Sequence, residues 1–137
     1  MYKNSEQYKD PTAGIAISNI IREEKRVNNL QWVYIASPYK GDVATNTARA
    51  IRYARFVARQ CLVPVCPHIY LTRFLCDDNS DEREAGLFLG LQMLRKCNQL
   101  WVFGSVISEG MKQEIDFAKK HNIPIRYFNS ECEEVQR

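Results

Sequence analysis

The sequence predicts an α/β fold, a parallel sheet of four to five strands sandwiched by helices. Short apolar runs rich in β-branched and aromatic residues alternate with longer stretches of helical periodicity. The connections between those runs are too long for hairpins, so right-handed βαβ crossovers are expected. The chain's 137 residues suffice for one compact unit with little room for a second.

Residues 1–12 are polar and without periodicity, and read as an arm. From Ala13 to Lys25, the apolar residues Ile15, Ala16, Ile17, Ile20 and Ile21 fall mostly at helical spacing. Leu30 to Ala36 is β-branched and aromatic, too short for a helix, and stopped by Ser37-Pro38 and then Gly41-Asp42, as expected of a buried strand entering a polar turn. Thr45 to Cys61 carries no Gly or Pro. At about 100° per residue its Ala50, Tyr53, Ala54, Val57 and Cys61 share one face, opposite Arg49, Arg52, Arg55 and Arg59. Leu62 to Cys66 is a second short strand, and Pro67 to Asp81 is an Asp-rich connection longer than most. Ser80 is the expected N-cap of a helix running to Lys96, with acids in its first turn and Arg95-Lys96 at its end. Leu100 to Phe103 is a third strand, Ser108 opens a helix through His121, and Ile123 to Phe128 is a fourth strand. The organisation expected is an N-terminal arm and helix over 1–30, one domain over 31–129 and a polar tail over 130–137.

Composition excludes several classes. Hydrophobic residues make up 45% and charged residues 26%, so the chain buries a core and is neither disordered nor fibrous. No apolar run approaches the roughly 18 residues of a bilayer span, and the start lacks the order of a signal peptide, so a cytoplasmic protein with no membrane contact is expected. The five cysteines are odd in number, contain no C-x-x-C and are joined by only two histidines. Neither a disulfide framework nor a metal centre is expected, and most of the thiols are expected in the core. A formal charge of +3 and a pI near 8.6 fall short of a nucleic-acid binder's basicity. The arginine stripe reads more simply as a solvated face than as a polyanion surface.

In an open parallel sheet, ligands bind beyond the carboxyl ends of the strands at the switch point of strand order, so the turns after the first and third strands are the places to search. The first reads Ser37-Pro38-Tyr39-Lys40-Gly41-Asp42 and the third Gly104-Ser105-Val106-Ile107-Ser108-Glu109-Gly110-Met111. Neither is G-x-G-x-x-G nor a G-x-x-x-x-G-K-[ST] loop, so no dinucleotide or NTP cofactor is expected. Glu114 falls in the apolar arc of the last helix, between Phe117 and Ala118, one turn in from the N-terminus. There it is placed either as a nucleophile or general base, or at the arc's edge paired with a neighbouring Lys or Arg. Ser108 is the expected N-cap, and with the amides of Glu109, Gly110 and Met111 it also offers an anion site. His68, after Pro67, either lines a pocket or is structural, and Asp77, Asp78 and Asp81 are loop acids that suggest a metal only weakly. Gly86 and Gly90 permit close helix packing.

Together these segments resemble the nucleoside 2-deoxyribosyltransferase-like family, most closely a bacterial and phage branch of it, and are also similar to 2′-deoxynucleoside 5′-phosphate N-hydrolases. The matching stretches are Val33 to Tyr39 with Gly41-Asp42 and Asn46, Pro67-His68, Glu82 to Gly86, Cys97 to Gly104 and Ile107 to Ile115. The resemblance implies a flavodoxin-like sheet and cleavage of an N-glycosidic bond by Glu114, which attacks the anomeric carbon in the manner of a retaining glycosidase. It implies a nucleoside or nucleotide ligand held by Ser37, Tyr39, Gly41, Asp42, Asn46, His68, Ser108, Gly110 and Met111. Ser108 stands where members that hydrolyse 5′-monophosphates have serine and transferases tend to have aspartate, which tilts the ligand toward a phosphorylated nucleoside. The register of the family's general acid falls at Gly90, with Asp42, Asp77, Asp78 or Glu84 as substitutes. Sites completed across a dimer imply a homo-oligomer. The other reading is a non-catalytic binder of a nucleotide-derived, ADP-ribose-like ligand.

Overall fold

The computed structural model describes residues 16–22 and 30–137, in two units, Met1–Leu30 and Gln31–Arg137. In the first, residues 16–22 form helix α1, inside the span where helical spacing is read. The remainder of that span and the arm over 1–12 lie outside the described residues.

The second unit runs β1 (Trp32–Ala36), α2 (Val43–Ala58), β2 (Val63–Val65), α3 (Pro67–Tyr70), a 3-10 turn (Leu71–Arg73), α4 (Ser80–Arg95), β3 (Gln99–Phe103), α5 (Glu109–Lys120), β4 (Ile125–Phe128) and β5 (Glu134–Val135). The strands form one sheet in the order β2-β1-β3-β4-β5, the flavodoxin-like order with its switch point between β1 and β3. Val33 to Ala36 pair in parallel with Gln99 to Val102, and Leu100 to Phe103 with Ile125 to Phe128. The edge strand β5 runs antiparallel to β4, so the sheet is mixed where an all-parallel one is expected. β5 lies in residues that read as a polar tail, and the Arg126–Glu134 ion pair at 2.7 Å ties it to β4. The other edge, β2, is three residues long with Pro64 at its centre.

Alternation along the strands builds two cores, because successive side chains point to opposite faces. Val33, Ile35, Trp101 and Phe103 meet Tyr53 and Val57 of α2, together with Phe128. Tyr34, Ala36, Leu100 and Val102 face Leu94 of α4 and Met111, Ile115 and Ala118 of α5. α5 ends in a Schellman motif: Asn122 takes φ 60° and the Ile123 amide donates to the Ala118 carbonyl at 2.8 Å. Capped by Ser108 at its start and closed here at its end, α5 is fixed at both ends, and with it Glu114.

Three local expectations are corrected. Asn79, not Ser80, caps α4, its side chain accepting from the Asp81 and Glu82 amides, so Ser80 is the first helical residue. The stretch after Pro67 is not bare connection: Pro at N1, with its fixed φ, starts a one-turn helix that continues into the 3-10 turn. Of the five cysteines only Cys97 is buried, and Cys61, beyond the end of α2 at φ 60°, is exposed.

Candidate active site

Tyr34 of β1, the turn after β1, the α3 and 3-10 turns, α4 and the start of α5 enclose a cleft of about 360 Å³. That lies within the range of small-molecule sites. At its floor sits Glu114, 6% exposed, on the inward arc of α5 with Met111, Ile115 and Ala118. The Tyr34 hydroxyl, reaching up from β1, donates to Glu114 Oε2 at 2.5 Å. Glu114 Oε1 has no partner and Glu114 lines the cleft. One carboxylate oxygen is anchored and the other is left without a hydrogen-bond partner.

Burial dominates the electrostatics of this pair. It pushes the Glu114 carboxyl up from 4.5 to about 7, against the Tyr34 hydrogen bond, which favours the charged form and pulls the other way. Burial, and then the Glu114 charge, hold the Tyr34 hydroxyl well above its ordinary value, so it stays a donor. Replacing Tyr34 with phenylalanine removes the counteracting bond. The Glu114 carboxyl of Tyr34→Phe is expected to titrate above about 7, as followed by carboxyl-carbon NMR across pH 5–9. A midpoint at or below the wild-type one would show that Tyr34 does not stabilise the carboxylate.

Most of the residues read from the sequence as ligand contacts line the cleft: Tyr39, His68, Ser108, Gly110 and Met111, with Glu114. Tyr39 and His68 stack with ring centroids 5.2 Å apart, and burial lowers the His68 pKa, so the neutral ring is favoured. Ser108 Oγ accepts from the Met111 amide at 3.3 Å while Met111 Sδ accepts from the Ser108 amide at 3.5 Å. The Met111 amide is thus used within the cap, and the Glu109 and Gly110 amides are the ones left for an anion.

The others hold the β1 turn. Ser37 is buried, outside the cleft wall, its Oγ without a partner. Asp42 caps α2 by accepting from Thr45 N and Thr45 Oγ1, bonds that hold its carboxyl below the usual value. The Asn46 side-chain amide donates to the Tyr39 and Lys40 carbonyls, fixing the loop that carries Tyr39. Gly41, at φ +94°, lines an adjoining hollow shared with Lys40, Asp77 and Arg83, and a side chain there is strained. Gly90 packs against the anchor of the floor: a Cβ there would lie 3.2 Å from the Tyr34 hydroxyl.

Tyr34 reads from the sequence as a strand residue within a matching stretch, and not as a site residue. A hydroxyl in a buried strand needs a partner, and that was its only signal. Lys40, in the first turn, and Glu82 and Arg83, in a matching stretch, also line the cleft but are not among the site residues read from the sequence. The arginine stripe of α2 is exposed, with Arg52 donating to the Ser130 carbonyl at 2.6 Å. Among the described residues no three His, Cys, Asp or Glu side chains converge to hold a metal, and no helix is long and apolar enough to cross a membrane.

Two solved structures share this fold. A 2-deoxyribosyltransferase from the psychrotolerant bacterium Bacillus psychrosaccharolyticus superposes with a TM-score of 0.60 at 12% identity, covering 72% of each chain. A 2-deoxyribosyltransferase from Leishmania mexicana gives 0.52 at 16% identity, covering 72% of this chain and 64% of that one. The deoxyribosyltransferase fold is therefore the fold of this chain. No curated protein sequence matches it. Residues 31–128, which hold the whole parallel sheet and the cleft, match one family, and the chain belongs to it: the domain of unknown function DUF7768.

Proposed function

We propose that this chain cleaves or exchanges the N-glycosidic bond of a (deoxy)nucleoside or its 5′-monophosphate, with Glu114 as the nucleophile. The observation that carries the reading is the floor of the cleft: a buried carboxylate at the sheet's switch point, anchored by Tyr34 through one oxygen and unmet at the other. Such a group has three things glycosyl capture needs: fixed geometry, partial desolvation and an oxygen not taken up by another hydrogen bond. The fold shared with two deoxyribosyltransferases supports the same chemistry.

In this mechanism the ionised Glu114 attacks the anomeric carbon as the base departs, and water or a second base resolves the ester. Tyr34 holds the carboxylate in the attacking orientation. Tyr39 and His68 flank the ligand, and Ser108 with the Glu109 and Gly110 amides receives a 5′-phosphate at the positive end of α5. Assembly into a homo-oligomer belongs to the same reading, because α4 exposes Phe88 and Leu89 next to the cleft-lining Leu87.

The test is chromatography of free bases released from nucleosides, deoxynucleosides and their 5′-monophosphates. Release is expected, with preference for the monophosphates that Ser108→Ala removes. No release from any of them, with a thermal shift by a nucleotide, would leave a binding protein instead.

A further inference from the structure

The cleft carries an excess of carboxyl groups. Asp77, Glu82, Glu84 and Glu109 join Glu114 in its walls, against the cations of Lys40 and Arg83. Arg83 donates to the Asp77 backbone carbonyl at 3.1 Å, and among the described residues neither cation is in an ion pair. The formal charge of the lining is negative, which attracts a cationic ligand group. The acids are accompanied by an independent sign of a ligand, the unpartnered Glu114 Oε1 on a residue only 6% exposed.

The walls add an aromatic surface. Tyr39 and His68, stacked on each other, both face the cleft, and a positively charged ring is drawn to an aromatic face. Proton donors are scarce at the floor. The Tyr34 hydroxyl is committed to Glu114, and Gly90 and Pro67 close over it with no donor of their own. Cys66 and Tyr34 are the titratable groups whose charges couple to Glu114, and burial holds both thiol and phenol in their protonated forms.

We propose that the base released in this cleft carries a fixed positive charge at the glycosidic linkage, as an N-alkylated purinium or a pyridinium does. The inference rests on the glycosidic reading above and names its substrate class. With such a base no proton donor is needed. The C1′–N bond breaks with its electron pair going to the ring nitrogen, which leaves neutral. Glu114 Oε1 supplies the pair of the new C1′–O bond, and water then places a hydroxyl on C1′, returning the carboxylate and releasing a proton to solvent. The opposite charges of ring and carboxylate also favour the ionised Glu114 that the attack requires.

Charge-matched pairs test this. Binding is measured by calorimetry on full-length Glu114→Gln, which holds ligand without consuming it. Nicotinamide riboside is compared with its neutral 1,4-dihydro form, and 7-methylguanosine with guanosine. At low salt the cation of at least one pair is expected to bind about tenfold tighter or more, with the preference reduced in a Glu84→Gln/Glu109→Gln background and by added salt. Which pair responds distinguishes a pyridinium from a purinium. In parallel, base release by the wild type is followed from the cleavable members of both pairs. Equal or tighter binding of the neutral partners overturns the inference. If neutral nucleosides also release base, the glycosidic reading stands without it; if nothing is released from any ligand, both fall.

Discussion

Glu114→Gln is expected to lose base release by at least about a thousandfold in kcat while gaining stability above neutral pH. The loss follows from chemistry. An amide oxygen held in the same place has no charge to deliver to an anomeric carbon, and among the described residues Glu114 is the one buried carboxylate. The gain follows from burial. The folded chain holds the Glu114 proton up to about pH 7, whereas an ordinary glutamate releases it near 4.5. Stability from this group is therefore full below pH 4.5 and is lost as pH rises through about 7, a cost of about 3 kcal/mol once the carboxylate is ionised. Glutamine never ionises and its carbonyl still accepts from Tyr34. Wild type and variant should unfold alike near pH 4, and at pH 8 the variant should melt roughly 10 °C or more higher. Thermal scans across that window, paired with the chromatographic assay, check both halves. A variant no more stable at pH 8 would mean that the carboxylate is not costly where it sits.

Trp101→Ala is expected to cost about 3–5 kcal/mol, the loss typical of emptying a large aromatic site. Trp101 is 1% exposed on the central strand β3. Its ring lies 4.7 Å from that of Phe128 and 6.0 Å from that of Phe56, with the Arg126 guanidinium 4.7 Å over its face. No neighbour can collapse into the space without dragging β4 or α2. A urea titration should show the midpoint falling with little change in slope. A cost below about 1 kcal/mol would contradict the packing described.

Legibility in the sequence followed the length of each signal. β1, β3, α2 and α5 carry enough residues for alternation or helical spacing to repeat, and the structure places them within a few residues of where they read. β5 is two residues, one of them Glu134, and no period can be seen in it; Arg126 across the sheet supplies its reason. α3 is a single turn for the same reason. At the site, Glu114 stood out because a carboxylate interrupts an apolar arc within one helix. Tyr34 did not, because its partner lies 80 residues away and is set by the order of strands rather than by anything adjacent. Lys40, Glu82 and Arg83 come from two separate segments that only the folded cleft joins.

The two outer strands bear on how the molecule meets its own kind. β2 offers three residues with a proline in the middle, which lacks the amide a further strand would require, and β5 offers two. Backbone exposed at a sheet's margin is the usual template for runaway strand addition, and shortness and proline both spoil it. Among the described residues, sheet extension between copies of this chain is thereby disfavoured at both margins. Any contact between copies would then run side chain against side chain on the helical flanks, and such contacts stop when their complement is filled rather than propagating into fibres.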